Sequence, residues 1–71
     1  MSSKPKVSSA NWHNLFCDDN VKVYQDSNDS IFYKVILQGS RPKYFYNETA
    51  HSDVVRYCAD QLGYQYWSIL D

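Results

Sequence analysis

Seventy-one residues make one small domain, and a 44% apolar share places the chain among globular rather than disordered sequences. A net charge of −1 argues against a general polyanion binder, which would be strongly basic. No apolar run of about eighteen residues exists to form a transmembrane helix, and the start MSSKPKVSSA lacks the apolar region of a signal peptide, so the expected location is cytoplasmic.

A chain this short buries only about 60% of its unfolded surface, which makes its core marginal. Seven tyrosines, three phenylalanines and two tryptophans answer that problem, because large rings bury much area per residue. Cys17 and Cys58 do not make a disulfide framework; in a reducing compartment they are expected as free thiols.

Residues 1–10 carry no periodicity and read as a flexible N-terminal tail, leaving 11–71 as a single α+β domain. In 11–16, NWHNLF, Asn11 can cap one helical turn that shows Trp12, Leu15 and Phe16 on one side. Such a turn must pack on the rest of the domain as a lid. Whether it covers a sheet face is left open. Asp18, Asp19 and Asn20 signal a turn.

VKVYQ at 21–25 alternates, with Val21 and Val23 to one side and Lys22 and Tyr24 to the other. DSNDS at 26–30 is a loop of turn formers. IFYKVILQ at 31–38 is the strongest strand, with Ile31, Tyr33, Val35 and Leu37 as its core face. KYFY at 43–46 is a short third strand, with Phe45 on one face and Tyr44 and Tyr46 on the other.

Asn47, or else Thr49, caps a helix, with Glu48 in its first turn. Ala50, Val54, Cys58 and Leu62 recur at spacing four and form its apolar stripe. Asp53 and Arg56 lie opposite at a pairing distance. Gly63 stops the helix in the left-handed conformation. YQYWSIL at 64–70 is aromatic and β-prone and reads as a fourth strand, parallel to the first and third. The predicted fold is therefore β-β-β-α-β, a three-stranded antiparallel sheet, one helix and a fourth strand, with Val35, Leu37, Phe45, Val54, Cys58 and Leu62 in the core.

No motif for chemistry emerges. His51 and Cys58 share a helix face but stand about 10 Å apart along the axis, too far to bind one zinc. Cys58 is late in the helix, where the dipole opposes a thiolate, and Cys17 precedes two aspartates. The expectation is a protein with no catalytic, cofactor-binding or metal site, and not an enzyme.

What the pattern does offer is a sheet face away from the helix carrying Lys22, Tyr24, Phe32, Lys34, Tyr44 and Tyr46. Tyrosine is favoured at interfaces because it combines apolar area with a polar handle, so this face is the candidate partner-binding surface for a protein. A near-neutral chain with an exposed aromatic patch also leaves self-association open. The alternative partner is nucleic acid. Aromatics interleaved with lysines suit base stacking, and residues 20–46 hold Lys22, Lys34, Arg41 and Lys43 against Asp26 and Asp29. In element order alone, three strands followed by a helix are similar to the DNA-arm-binding domains of phage integrases. Those domains are clearly basic, and this chain is not.

Overall fold

The computed structural model describes residues 11–70, so the expected tail at 1–10 lies outside the described residues. Four strands form one antiparallel sheet in sequence order: β1 (Trp12–Cys17), β2 (Val21–Asp26), β3 (Asp29–Leu37) and β4 (Lys43–Tyr46). Helix α1 (Ala50–Leu62) and a 3-10 helix (Tyr64–Ser68) follow. The class is α+β, with four strands and one α-helix.

The fourth strand stands at the front of the chain, not at its end. Residues 12–17, expected as a helical turn, form edge strand β1 against β2. The aromatic spacing that resembled a helix comes from a β-bulge. Asn14 pairs with Tyr24, Phe16 pairs with Val23, and Leu15 is the extra residue. A bulge shifts the phase of a strand by one residue, so Trp12 and Phe16 end on opposite faces. Asp18 closes the β1–β2 turn, with Oδ1 accepting from the backbone N–H groups of Asn20 (2.7 Å) and Val21 (2.9 Å).

The loop expected at 26–30 is much shorter. Asp26 pairs directly with Asp29 around Ser27 and Asn28, and both strands extend into it. The register then slips, because Gln25 pairs with Tyr33. The Gln25 amide fills the gap, donating to the Ser30 carbonyl (2.8 Å) and the Tyr33 hydroxyl (3.2 Å). Asp26 is buried, and its Oδ1 accepts from the N–H groups of Asn11 and Asn28.

The core lies between one sheet face and α1. Val21, Val23, Tyr33 and Val35 meet Ala50, Val54, Cys58 and Tyr66, with Phe16, Leu37, Phe45, Tyr57 and Leu62 packed around them. Of the expected core, Val35, Val54 and Cys58 are fully buried, while Leu37, Phe45 and Leu62 sit at its margin.

Helix α1 begins at Ala50 with Thr49 as its N-cap residue. Asn47 makes the preceding turn instead, its Oδ1 accepting from the Thr49 N–H (2.8 Å) and hydroxyl (2.7 Å). Glu48 therefore precedes the helix. Asp53 is the acid of the first turn, with its Oδ2 3.0 Å from the same Thr49 hydroxyl oxygen.

Gly63 ends the helix with its N–H on the Ala59 carbonyl. Its φ of 121° is positive as expected, but ψ of 159° puts it in a glycine-only region outside the left-handed helical basin. Beyond it the chain does not return as a strand. Tyr66 donates its N–H to the Gly63 carbonyl, and Ile69 to that of Tyr66, in a 3-10 turn. Tyr66, Ile69 and Leu70 follow Leu62 onto the core at helical spacing, a period that the β-prone composition hid.

Candidate aromatic interface

Alternation along β2, β3 and β4 places side chains in rows across the sheet face away from α1. One row runs Asn14, Tyr24, Lys34, Tyr44, and another runs Cys17, Lys22, Ile36. Phe32 and Tyr46 are direct cross-strand partners beside the first row. The six residues singled out from sequence, Lys22, Tyr24, Phe32, Lys34, Tyr44 and Tyr46, thus share this outer face. Trp12, read as part of a lid, joins them from β1.

The rings engage one another. Trp12 lies over Phe32 at a centroid distance of 4.9 Å, with Tyr44 at 6.2 Å from both. Tyr46 meets Phe32 edge-on at 5.5 Å. Under this cover Phe32 is only 1% exposed, so it is the floor of the face rather than part of its surface. The sheet accordingly has a packed layer on each side, a helix on one and a ring cluster on the other. Tyr44, at 37% exposure, is the most open ring of the cluster.

Lys34 stands at the centre. Its Nζ lies 4.8 Å from the ring centroids of both Trp12 and Tyr24, within cation–π range. Lys22 is exposed in the neighbouring row. Lys43, counted from sequence among the cations of residues 20–46, points to the helix side, its Nζ 5.6 Å from the Phe45 ring and 5.5 Å from that of Tyr57. Burial, and then the Asp29 carboxylate beside it, push the Tyr46 hydroxyl above the ordinary tyrosine range. Beyond Lys22 an open cleft of about 640 Å³ runs along the sheet end, bordered by Cys17, Asp19, Ile36 and Gly39.

A second exposed pair lies elsewhere. Tyr64 and Trp67 stack at 6.4 Å with 14° between their planes and are 77% and 47% exposed. The 3-10 helix that carries them is tied to the β1–β2 turn through Tyr66. Its hydroxyl donates to Asp18 Oδ2 (3.0 Å) and accepts from the Asn20 amide (3.0 Å).

The reactive residue types stay apart. Cys17 is an exposed free thiol, and Cys58 is buried in the core. Burial, with the Asp18 charge as a lesser cause, pushes the Cys58 thiol up to about 11. His51 packs edge-on against Tyr33 at 6.2 Å. Among the described residues, no three of His, Cys, Asp and Glu gather at a spacing that holds a metal. Nor is any described helix long and apolar enough to cross a membrane. No family model, no curated protein and no solved structure matches the chain.

Proposed function

We propose that this chain is a small non-enzymatic interaction module of the cytoplasm that binds a protein partner through the outer aromatic face. It would serve as a regulator, an inhibitor or an accessory subunit. The observation that carries this reading is Trp12, Tyr44 and Tyr46 held over a buried Phe32. Rings fixed by their neighbours lose little conformational freedom when a partner covers them, which is why aromatic anchors dominate binding energy at interfaces. The face spans two edge strands, so an incoming chain can also gain backbone hydrogen bonds.

Nucleic acid is the second reading, favoured by Lys34 among the rings. Base stacking needs ring faces free to receive bases, and here the rings cover one another. A phosphate backbone also rewards many cations, and with Lys43 turned away the face offers Lys22 and Lys34.

A pull-down from host extract, with and without nuclease and across a salt series, separates the two. Protein binding predicts partners retained after nuclease and through moderate salt, and lost with Tyr44→Ala. Loss on nuclease treatment, with steep weakening in salt, assigns the face to nucleic acid instead.

A further inference from the structure

The outer face has a charge polarity that its ring content conceals. Lys34 is half-buried, and its ammonium rests against two rings. Such a cation has shed part of its water but keeps N–H donors for whatever arrives from solvent. The acids nearest this face are engaged or at its far end. Asp26 is buried on backbone N–H groups, and Asp29 lies beside Tyr46. Asp18 turns toward the helix side, onto Tyr66.

Lys22 is the diagonal neighbour of Lys34, since Lys22 pairs with Ile36 and Tyr24 with Lys34. Diagonal neighbours on one sheet face stand about 7 to 8 Å apart. Alternate side chains of an extended strand repeat at about 7 Å. Lys34 and Lys22 therefore root on the face at about the spacing of alternate side chains on an extended segment, and their long flexible stems let each ammonium meet one carboxylate of such a segment.

We propose that the occupant of the outer face is an extended acidic segment of a protein partner. One carboxylate sits on Lys34 beside Trp12 and Tyr24, and a second, two residues away, reaches Lys22. An apolar side chain of the same segment covers Trp12 and Tyr44. The proposal rests on the reading of this face as a protein-binding surface and adds the chemistry of what it binds. Lys34 is the stronger of the two contacts, because Lys22 shares the cleft at the sheet end with Asp19. A carboxylate arriving at Lys34 gains a charge-assisted hydrogen bond in a site already partly cleared of water. Two cations suit one or two carboxylates, whereas a phosphate backbone calls for a longer row.

The test is a titration of the isotope-labelled full chain followed by NMR, with three probes. These are a short peptide alternating glutamate and phenylalanine, the same peptide with glutamine for glutamate, and a short single-stranded oligothymidylate. The indole N–H signals of Trp12 and Trp67 report the two exposed aromatic regions separately. The glutamate peptide is expected to shift Trp12 and leave Trp67 in place. The glutamine peptide should bind at least about tenfold more weakly, the equivalent of one hydrogen bond to a charged group. Lys34→Met, which keeps an unbranched stem beside the rings, should remove the larger part of that factor from the glutamate peptide and nothing from the glutamine peptide. Equal binding of the two peptides at Trp12, insensitive to Lys34→Met, overturns the acidic partner while leaving protein binding at this face intact. An oligothymidylate that binds at Trp12 more tightly than either peptide overturns both. Shifts confined to Trp67 overturn the outer face as the surface. No shift at Trp12 up to millimolar glutamate peptide overturns the acidic segment alone.

Discussion

Phe32→Ala is the sharpest test of a sheet packed on both sides. Phe32 is 1% exposed, yet it faces away from the helix, where a half-buried sheet would show solvent. A phenylalanine side chain buries roughly 150 to 250 Å², which at about 25 cal/mol per Å² gives an upper bound near 4 to 6 kcal/mol. Measured Phe→Ala losses in cores run about 3 to 5 kcal/mol. The cover here is Trp12, Tyr44 and Tyr46, surface side chains that can settle into the space, so about 3 kcal/mol is expected. A domain of this size holds only about 4 to 10 kcal/mol in all. The midpoint of thermal unfolding should therefore fall by at least about 12 °C. Urea unfolding followed by circular dichroism checks the value, with Tyr44→Ala as the exposed control. A Phe32→Ala loss under about 1 kcal/mol, no larger than that of Tyr44→Ala, would refute the packed outer layer.

Three further outcomes follow from the geometry. Gly63→Val should cost about 1 to 3 kcal/mol, because φ of 121° with ψ of 159° is reached cheaply by glycine alone; urea unfolding reads it, and an unchanged midpoint counts against that backbone. A thiol reagent should label Cys17 in the native protein and Cys58 only on unfolding, as mass spectrometry of the labelled peptides would report. Asp18 is held below the ordinary carboxyl range, chiefly by the Asn20 N–H and against the cost of burial, with the Val21 N–H and the Tyr66 hydroxyl assisting. A depressed folded value means stability present above the ordinary carboxyl pKa of 3.8 and lost as pH falls through the folded one. Asp18→Asn should flatten that acid limb in a pH series of thermal melts, and an unchanged limb would remove Asp18 from it.

The sheet–helix core was legible because its signals are periodic. Val21, Val23, Tyr33 and Val35 alternate, and Ala50, Val54 and Cys58 recur at spacing four, so each set marks one face. Two segments were misread for one reason, a period disturbed by a single residue or hidden by composition. In β1 the extra residue Leu15 makes the apolar positions 12, 15 and 16 mimic a helix, although the segment pairs as a strand. After Gly63, β-prone rings suggested alternation, while Leu62, Tyr66, Ile69 and Leu70 already held the helical spacing. The membership of the outer face was readable from alternation in β2, β3 and β4. Which of its residues remain open was not, because the covering of Phe32 depends on Trp12, a residue about twenty positions away that only the β1–β2 pairing brings near.

The outer face, and not the second exposed pair on the 3-10 helix, is proposed to receive the protein partner. Paired pull-downs with Tyr44→Ala and Trp67→Ala test it most directly, using nuclease-treated extract and folded protein verified by circular dichroism. Both rings are open to solvent, at 37% and 47% exposure, so neither change should unfold the domain. Tyr44→Ala is expected to lose the partner and Trp67→Ala to keep it. Retention by Tyr44→Ala with loss in Trp67→Ala would contradict binding at the outer face and move the interface to Tyr64 and Trp67.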